Sequence, residues 1–490
     1  MGIIIKQSIR NALISYIGVG IGFISTIKLF PNILDTDQFG LTRAMLAVMF
    51  IGSQLISLGL SSTIVKYFPF LSKKTENPKG LFLTFCIPVL LAFFAFTTAF
   101  LLLNQPILSL YSDTVLMTRY YYYILPLILF SALFGMLKSF ISAMLDTVFA
   151  SFLQEVLLRI IVIADLVLFY FEVIGFSGFV IIFVLNYGFQ FLVLAAYGFQ
   201  RNYLQLSFST DFITKSIIKK ITTFSTYSLL GGVTMMIVGN IDMLMLSALE
   251  GLSETGIYAI AFYVGSVISI PRKAISKISL PLIAQSFEKK EHFEISKLYK
   301  QTSLNQFLFG FLLFIGVWAN MENLYQMLPE EYATGSLVIL IIGVANLFDM
   351  VTGANSEIII SSPFYRFGLY FSFFLVGLTI TLNLLLIPIY GIVGAAFATA
   401  CALFIYNLAK LIFVWNKLSI QPFSWKIMGV LLNGILVLSL SFYLPQFDNI
   451  YIDIGIRSTL ITIFYSVIIW TFNLSSEFKE AVKGILTKIL

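Results

Sequence analysis

The chain has 490 residues, of which 59% are hydrophobic and only 11% charged. Soluble domains carry roughly 25% charged residues, so with a mean hydropathy of +0.95 a soluble globule is excluded. The net charge of +6 would suit nucleic acid, but its placement along the chain ties it to membrane orientation, and no nucleic-acid partner is expected. The single histidine, His292, lies in a charged stretch and leaves no material for a His-based metal site or triad. Cys86 and Cys401 sit in apolar runs without metal-ligand spacing and read as packing residues. No cofactor is expected.

A membrane-spanning helix needs ~20 apolar residues. Fourteen stretches qualify, near 11–30, 42–65, 81–103, 115–137, 148–170, 175–199, 223–247, 256–283, 303–321, 335–359, 367–388, 391–415, 427–445 and 453–473. Residues 1–10 form a short amphipathic start with Lys6 and Arg10. The first apolar run, Ala12 to Phe30, is long enough to remain as a span rather than be removed as a signal peptide. The expected fold class is therefore all-α integral membrane, with fourteen transmembrane helices.

The turns between spans alternate in character. One set is basic: Lys66, Lys73, Lys74 and Lys79, then Lys138, then Arg201, Lys215, Lys219 and Lys220, and so on to Lys479, Lys483 and Lys488. The other set is acidic, with Asp35, Asp37, Asp113, Glu172, Glu250, Glu254, Glu322, Glu330, Glu331, Asp448 and Asp453, and has no Lys or Arg in its turns. The positive-inside rule puts the basic set and both termini in the cytoplasm. The longest polar stretches, near 200–222 and 284–302, are about twenty residues, too short for a soluble catalytic domain. That argues against a membrane-embedded glycosyltransferase or polymerase.

A shift of 216 residues lays Gly40 on Gly256, Lys73 and Lys74 on Lys289 and Lys290, Gly175 and Gly178 on Gly391 and Gly394, and Arg201 on Lys417. All these matches fall at equivalent points of the topology, as a duplication of six-span halves requires. The expected organisation is an N-terminal lobe over 1–210, a C-terminal lobe over 211–420, and an extra helix pair with a cytoplasmic tail over 421–490. The intramembrane charges do not follow the shift, which fits two similar lobes around one asymmetric site.

Those charges are the candidate functional residues, because a charge inside a bilayer costs at least ~2.5–3.5 kcal/mol and therefore faces a partner or a wet cavity. Arg272 and Lys273 follow Pro271. Arg272 lies about 24 Å past Gly256 at ~1.5 Å per residue, toward the cytoplasm. It reads as a diphosphate ligand, whose planar fork suits phosphate, or as a snorkelling side chain. Lys28 and Arg43, at outward span ends, face either a cavity mouth or the headgroups. Asp242 and Asp349 read either as protonation or ion-coupling sites for H+ or Na+, or as ion-pair partners. Glu155 and Arg159 are four apart, in the order that favours an internal pair. Asp165 is left over, and Tyr120 to Tyr123 read as an interfacial aromatic belt or as a surface for sugar stacking.

A family resemblance enters here. Gly40-Leu41 after an acidic turn, then Gly59-Leu60 and Lys66-Tyr67-Phe68, resembles the opening of the polysaccharide flippases of the multidrug/oligosaccharidyl-lipid/polysaccharide exporter superfamily. Ile241-Asp242, Gly256-Ile257-Tyr258, Ile270-Pro271 and Leu280-Pro281 resemble that family's seventh and eighth helices. Asn383, Ile387-Pro388, Tyr390-Gly391-Ile392 and Gly394 to Thr399 resemble its twelfth-helix entry. The resemblance covers about residues 1–420. It implies a V-shaped two-lobe bundle with a central cavity in a bacterial inner membrane. It also implies alternating-access translocation of undecaprenyl-diphosphate-linked oligosaccharide for cell-surface polysaccharides such as the O-antigen of lipopolysaccharide. A polysaccharide polymerase or glycosyltransferases would be its partners. The competing expectation is a cation-coupled multidrug exporter of the same superfamily.

Overall fold

The computed structural model describes residues 2–75, 77–111, 115–209 and 214–489. Asp113, and the side chains of Lys6 and Lys488, lie outside the described residues. The described residues are mostly helical and contain no strand. In a bilayer, a helix satisfies its own backbone hydrogen bonds, which is why runs this apolar fold this way.

The helices that carry the argument are α1 Gly2–Phe23, α2 Thr36–Ile56, α3 Leu60–Leu71, α4 Leu81–Leu102, α5 Ile124–Ala143, α6 Leu158–Tyr170, α7 Phe176–Gln200 and α8 Lys215–Leu249. They continue as α9 Leu252–Val267, α10 Ile270–Glu288, α11 His292–Ala319, α12 Ser336–Val351, α13 Asn355–Ser361, α14 Arg366–Leu418, α15 Trp425–Ser441, α16 Ile450–Thr471 and α17 Ser476–Ile489. The chain is a multi-pass membrane protein. Among the described residues, ten helices are long and apolar enough to cross a membrane, or eleven if the bent pair α9–α10 is one span.

The difference from fourteen has local causes. The expected eleventh and twelfth spans run together as α14, whose only break is Gly391 at φ 54°, ψ −132°. The fifth carries three charged residues, Glu155, Arg159 and Asp165, and a π-helical turn, Leu153–Leu157, ahead of α6. The thirteenth, α15, has 17 residues. The eighth is the bent pair α9–α10, while the second still counts as one span although Leu58 and Gly59 both take positive φ where α2 and α3 meet.

The chain divides into two compact units, Met1–Gly256 and Ile257–Leu490. In the first, α2 packs against α8 and α5, and α7 against α5. Lipid tails are as apolar as leucine, so association here depends on close packing rather than on hydrophobic burial. Glycines permit it: a Cβ on Gly52 would press on Ile128, and one on Gly188 would press on Phe130. In the second unit, α11 packs against α10, α12, α15 and α16, and α14 against α12 and α13. The terminal pair α15–α16 is bound into that core through Phe307, Phe311, Val437, Ile461 and Tyr465. Tyr465 Oη donates to Leu308 O at 2.9 Å.

Candidate functional site

In the second unit, two serines at the break between α9 and α10 redirect the chain. Ser266 Oγ donates to Tyr263 O at 2.8 Å, and Ser269 Oγ to Ser266 O at 2.7 Å. The two helices meet at a 50° bend. Pro271 then sits in the first turn of α10, where its missing N–H leaves no helical bond unmade. Arg272 follows in the same turn. Its Nη1 lies 2.7 Å from Asp349 Oδ2 on α12. The Asp349 side chain is 8% exposed and the Arg272 side chain 28%, so the carboxylate is the more sheltered partner.

A second break completes the site. Gly353, at φ 62°, ends the helix that carries Asp349 and starts α13. A Cβ there would press on Ser303 Cβ at 3.0 Å and Tyr299 O at 3.1 Å. Ala354 N donates to Thr302 Oγ1 at 3.2 Å, which holds the turn on α11. Ser356 and Glu357 follow on α13. Lys410 Nζ, on α14, donates to Ser356 Oγ at 2.9 Å and lies 3.9 Å from the centre of the Tyr406 ring. Lys410 is 1% exposed. Asp349, Glu357 and Arg272 are all close enough to act on it electrostatically.

Four helices thus bring two cations and two carboxylates together inside an apolar bundle. Several polar atoms around them, buried and without a protein hydrogen bond, remain: Arg272 Nε, Glu357 Oε2, Tyr299 Oη, Asn355 Nδ2 and both amide atoms of Asn407. Buried groups of this kind normally have partners, and a cluster of them marks a place prepared for water, an ion or substrate.

The residues singled out from the sequence fall as follows. Arg272 and Asp349 are brought together. Lys273 is exposed and makes no ion pair among the described residues. In the first unit, Lys28 lies in a π-helical stretch, Ile24–Leu29, and is exposed. Arg43 is half-buried, its Cζ 4.4 Å from the Phe39 ring centre and 4.9 Å from that of Phe30. Those two faces hold the guanidinium in place by cation–π attraction. Asp242, on α8, is 5% exposed.

Glu155 and Arg159 do pair, at 3.6 Å. Arg159 also donates to Gly18 O at 2.5 Å, across a face where Gly18 and Gly22 leave room for it. Asp165 accepts from Asn186 Nδ2. Among the described residues, no group of three or more His, Cys, Asp or Glu is arranged to hold a metal ion.

Sequence reading missed Lys410 and Arg457. Lys410 is a lone cation in the apolar run 391–415, a signal as plain as Arg272, but passed over beside the basic loop that follows. Arg457 Nε bonds Asp453 Oδ2 at 3.1 Å, and its Nη1 donates to Ser441 O at 3.2 Å. Asp453 is therefore 2% exposed and paired, not a free loop acid. These bonds join α15 to α16, a structural task.

The family described as polysaccharide biosynthesis protein matches residues 4–287. Among solved structures, the fold is similar to the lipid II flippase MurJ in its inward closed conformation, at TM-score 0.75 and 15% identity, covering 96% of this chain and 100% of that one. It is also similar to the Vibrio cholerae MATE transporter VcmN in its bent form, at TM-score 0.52 and 15% identity, covering 86% of this chain and 98% of that one. An outward-facing multidrug resistance MATE family transporter of the MOP superfamily matches at TM-score 0.52 and 13% identity, covering 84% and 96%. Comparison with curated protein sequences finds no match.

Proposed function

Because the chain belongs to the polysaccharide biosynthesis protein family, we propose that it flips a diphosphate-bearing, lipid-linked oligosaccharide across the bacterial inner membrane, with both termini cytoplasmic. The substrate class is undecaprenyl-diphosphate-linked sugar. The mechanism is alternating access, feeding polymerase or glycosyltransferases on cell-surface polysaccharides such as O-antigen. The observation that carries this reading is Arg272, a partly exposed cation (28% of its side chain) in an apolar helix pair, whose Nη1 lies 2.7 Å from Asp349 Oδ2.

A diphosphate competes with Asp349 for that guanidinium, and the planar fork favours the phosphate oxygens. A proton or Na+ arriving on Asp349 cancels the rival charge and releases Arg272 to substrate. Substrate binding and ion coupling are then one exchange at one residue. Lys28, Arg43 and Lys273 are further candidate substrate-binding cations, and Asp242 is a second coupling candidate. The lipid tail stays in the bilayer throughout. The two-lobe organisation over 1–210 and 211–420, with the extra pair over 421–490, is supported by a reciprocal contact of Gly40 and Gly256. A Cβ on Gly40 would run into Leu252 O, and one on Gly256 would press on Thr36 O at 2.5 Å. Leu252 and Thr36 are themselves 216 residues apart in the sequence.

The test is translocation of lipid-linked oligosaccharide in reconstituted vesicles, read by its exposure to an impermeant lectin. Arg272→Ala with Lys28→Ala is expected to slow translocation about tenfold or more, the scale of ~1.4 kcal/mol of lost binding. Undiminished translocation overturns the diphosphate role. The drug-exporter reading is favoured by one feature, the buried acids Asp242 and Asp349 at 5% and 6% exposure. Efflux of a cationic dye that vanishes in Asp242→Asn would support it instead.

A further inference from the structure

A second basic site lies in the first unit, where α3 ends and α8 begins. The two helices touch at Gly59, whose Cβ would run into Ser225 O and come within 2.6 Å of Leu229 N. Thr63 and Ser225 share a buried hydroxyl contact of 2.7 Å just beyond. Tyr67 then meets Phe224 edge-on, ring centres 5.8 Å apart. Past that ring pair the helices leave a cavity of about 500 Å³ lined by Tyr67, Ser216, Lys219, Lys220, Thr223, Phe224 and Tyr227. That volume is within the range of roughly 300–1,000 Å³ usual for small-molecule sites.

The lining has one sign of charge. Lys219 and Lys220 line the cavity, and Lys66 Nζ sits 3.8 Å from the ring centre of Phe224, itself a lining residue. None of the three makes an ion pair among the described residues, and no carboxylate is among the lining residues. The rest of the lining is the rings of Tyr67, Phe224 and Tyr227 and the hydroxyl-bearing Ser216 and Thr223. Ammonium groups and hydroxyls recognise phosphate oxygens, and the rings cover the apolar or sugar portion next to them. The site also lies on the side that the basic loops mark, where a lipid-linked substrate would be loaded.

We propose that this cavity is a loading site for the diphosphate of the lipid-linked substrate, separate from Arg272. This rests on the flippase reading above. Phosphate chemistry alone would also admit an anionic phospholipid headgroup, so the test separates the two. The full chain in nanodiscs is presented with polyprenyl diphosphate or, at equal amount, phosphatidylglycerol, and retained lipid is counted by native mass spectrometry.

The wild type is expected to retain polyprenyl diphosphate in preference to phosphatidylglycerol. Lys219→Ala with Lys220→Ala is expected to lower that retention about tenfold, and Lys219→Arg with Lys220→Arg to restore most of it. Equal retention of the two lipids, or retention untouched in the alanine variant, overturns the loading site while leaving the flippase reading in place. No retention of polyprenyl diphosphate by the wild type overturns both. Should the alanine pair fail to fold, Tyr67→Leu tests the same cavity: it is expected to lower retention, and an unchanged value counts against the site.

Discussion

Arg272 and Asp349 face each other at 2.7 Å across two different helices, and the bend at the start of α10 is what aims the arginine there. The pair is asymmetric in exposure, so the two single variants are not equivalent. Removing the arginine strands a carboxylate that is 8% exposed. Breaking a buried pair from one side costs about 3–5 kcal/mol, and the open side of this one sets the expected loss at the low end. Arg272→Met with Asp349→Leu is expected to recover part of it. Thermal unfolding in detergent of both single variants and the double should give a coupling energy of about 1–3 kcal/mol. Strict additivity would mean that the pair is not formed in the membrane.

Lys410 offers a sharper chemical test. Its stem fills a site that is 1% exposed, and its ammonium bonds Ser356 at 2.9 Å over the Tyr406 ring. Lys410→Met keeps most of the volume and deletes the charge. The variant is expected to fold at a cost of about 1–3 kcal/mol, since Ser356 Oγ loses its ammonium donor while the volume is kept. Its translocation should nevertheless fall steeply, because the acids at Asp349 and Glu357 would then compete for Arg272 alone. Lys410→Arg is not expected to rescue transport, as a planar guanidinium does not fit a closed site shaped around an ammonium. Vesicle translocation beside a melting curve distinguishes charge loss from misfolding.

Gly40 and Gly256 make a reciprocal contact, each occupying the space a side chain of the other's helix would need. The atoms in the way are backbone carbonyls, which cannot swing aside. Gly40→Ala and Gly256→Ala are each expected to cost about 1–3 kcal/mol through overpacking. Once the first has forced the helix starts apart, the second should add less than its own single cost. The melting temperatures of the two single variants and the double read this directly.

Gly18 and Gly22 lie on one face of α1, yet substitution should divide them. A Cβ on Gly18 would lie 2.7 Å from the backbone oxygen of Glu155, whereas on Gly22 it would meet only the mobile end of Arg159. Gly22→Ala is therefore expected to cost under about 1 kcal/mol, because the arginine can rotate and its pair with Glu155 is a third exposed. Gly18→Ala should cost about 1–3 kcal/mol. Equal melting points for the two variants would remove this account of the α1 contact.

Much of the membrane architecture was legible in the residues, because the transfer of a side chain into lipid depends mainly on that side chain. Each of the fourteen apolar stretches falls on helix. The breaks within them were not legible. The turn at Gly353 and the merging of two stretches across Gly391 depend on how the chain meets its neighbours, and a hydropathy average blurs both. Ion pairing divided in the same way. Glu155 and Arg159 are neighbours on a helix surface, so their spacing alone predicted the contact.

What the residues determined by themselves was the solvent, the class and the family: an apolar chain punctuated by basic and acidic turns admits few other readings. What only the tertiary structure decided was which charge faces which. Arg272, Lys273 and Lys410 look alike in the sequence. One is held at an open ion pair, one is exposed, and one is sealed inside the bundle. Helix rotation settles those fates, and rotation is set by glycines and serines touching residues far along the chain, where no local pattern reaches.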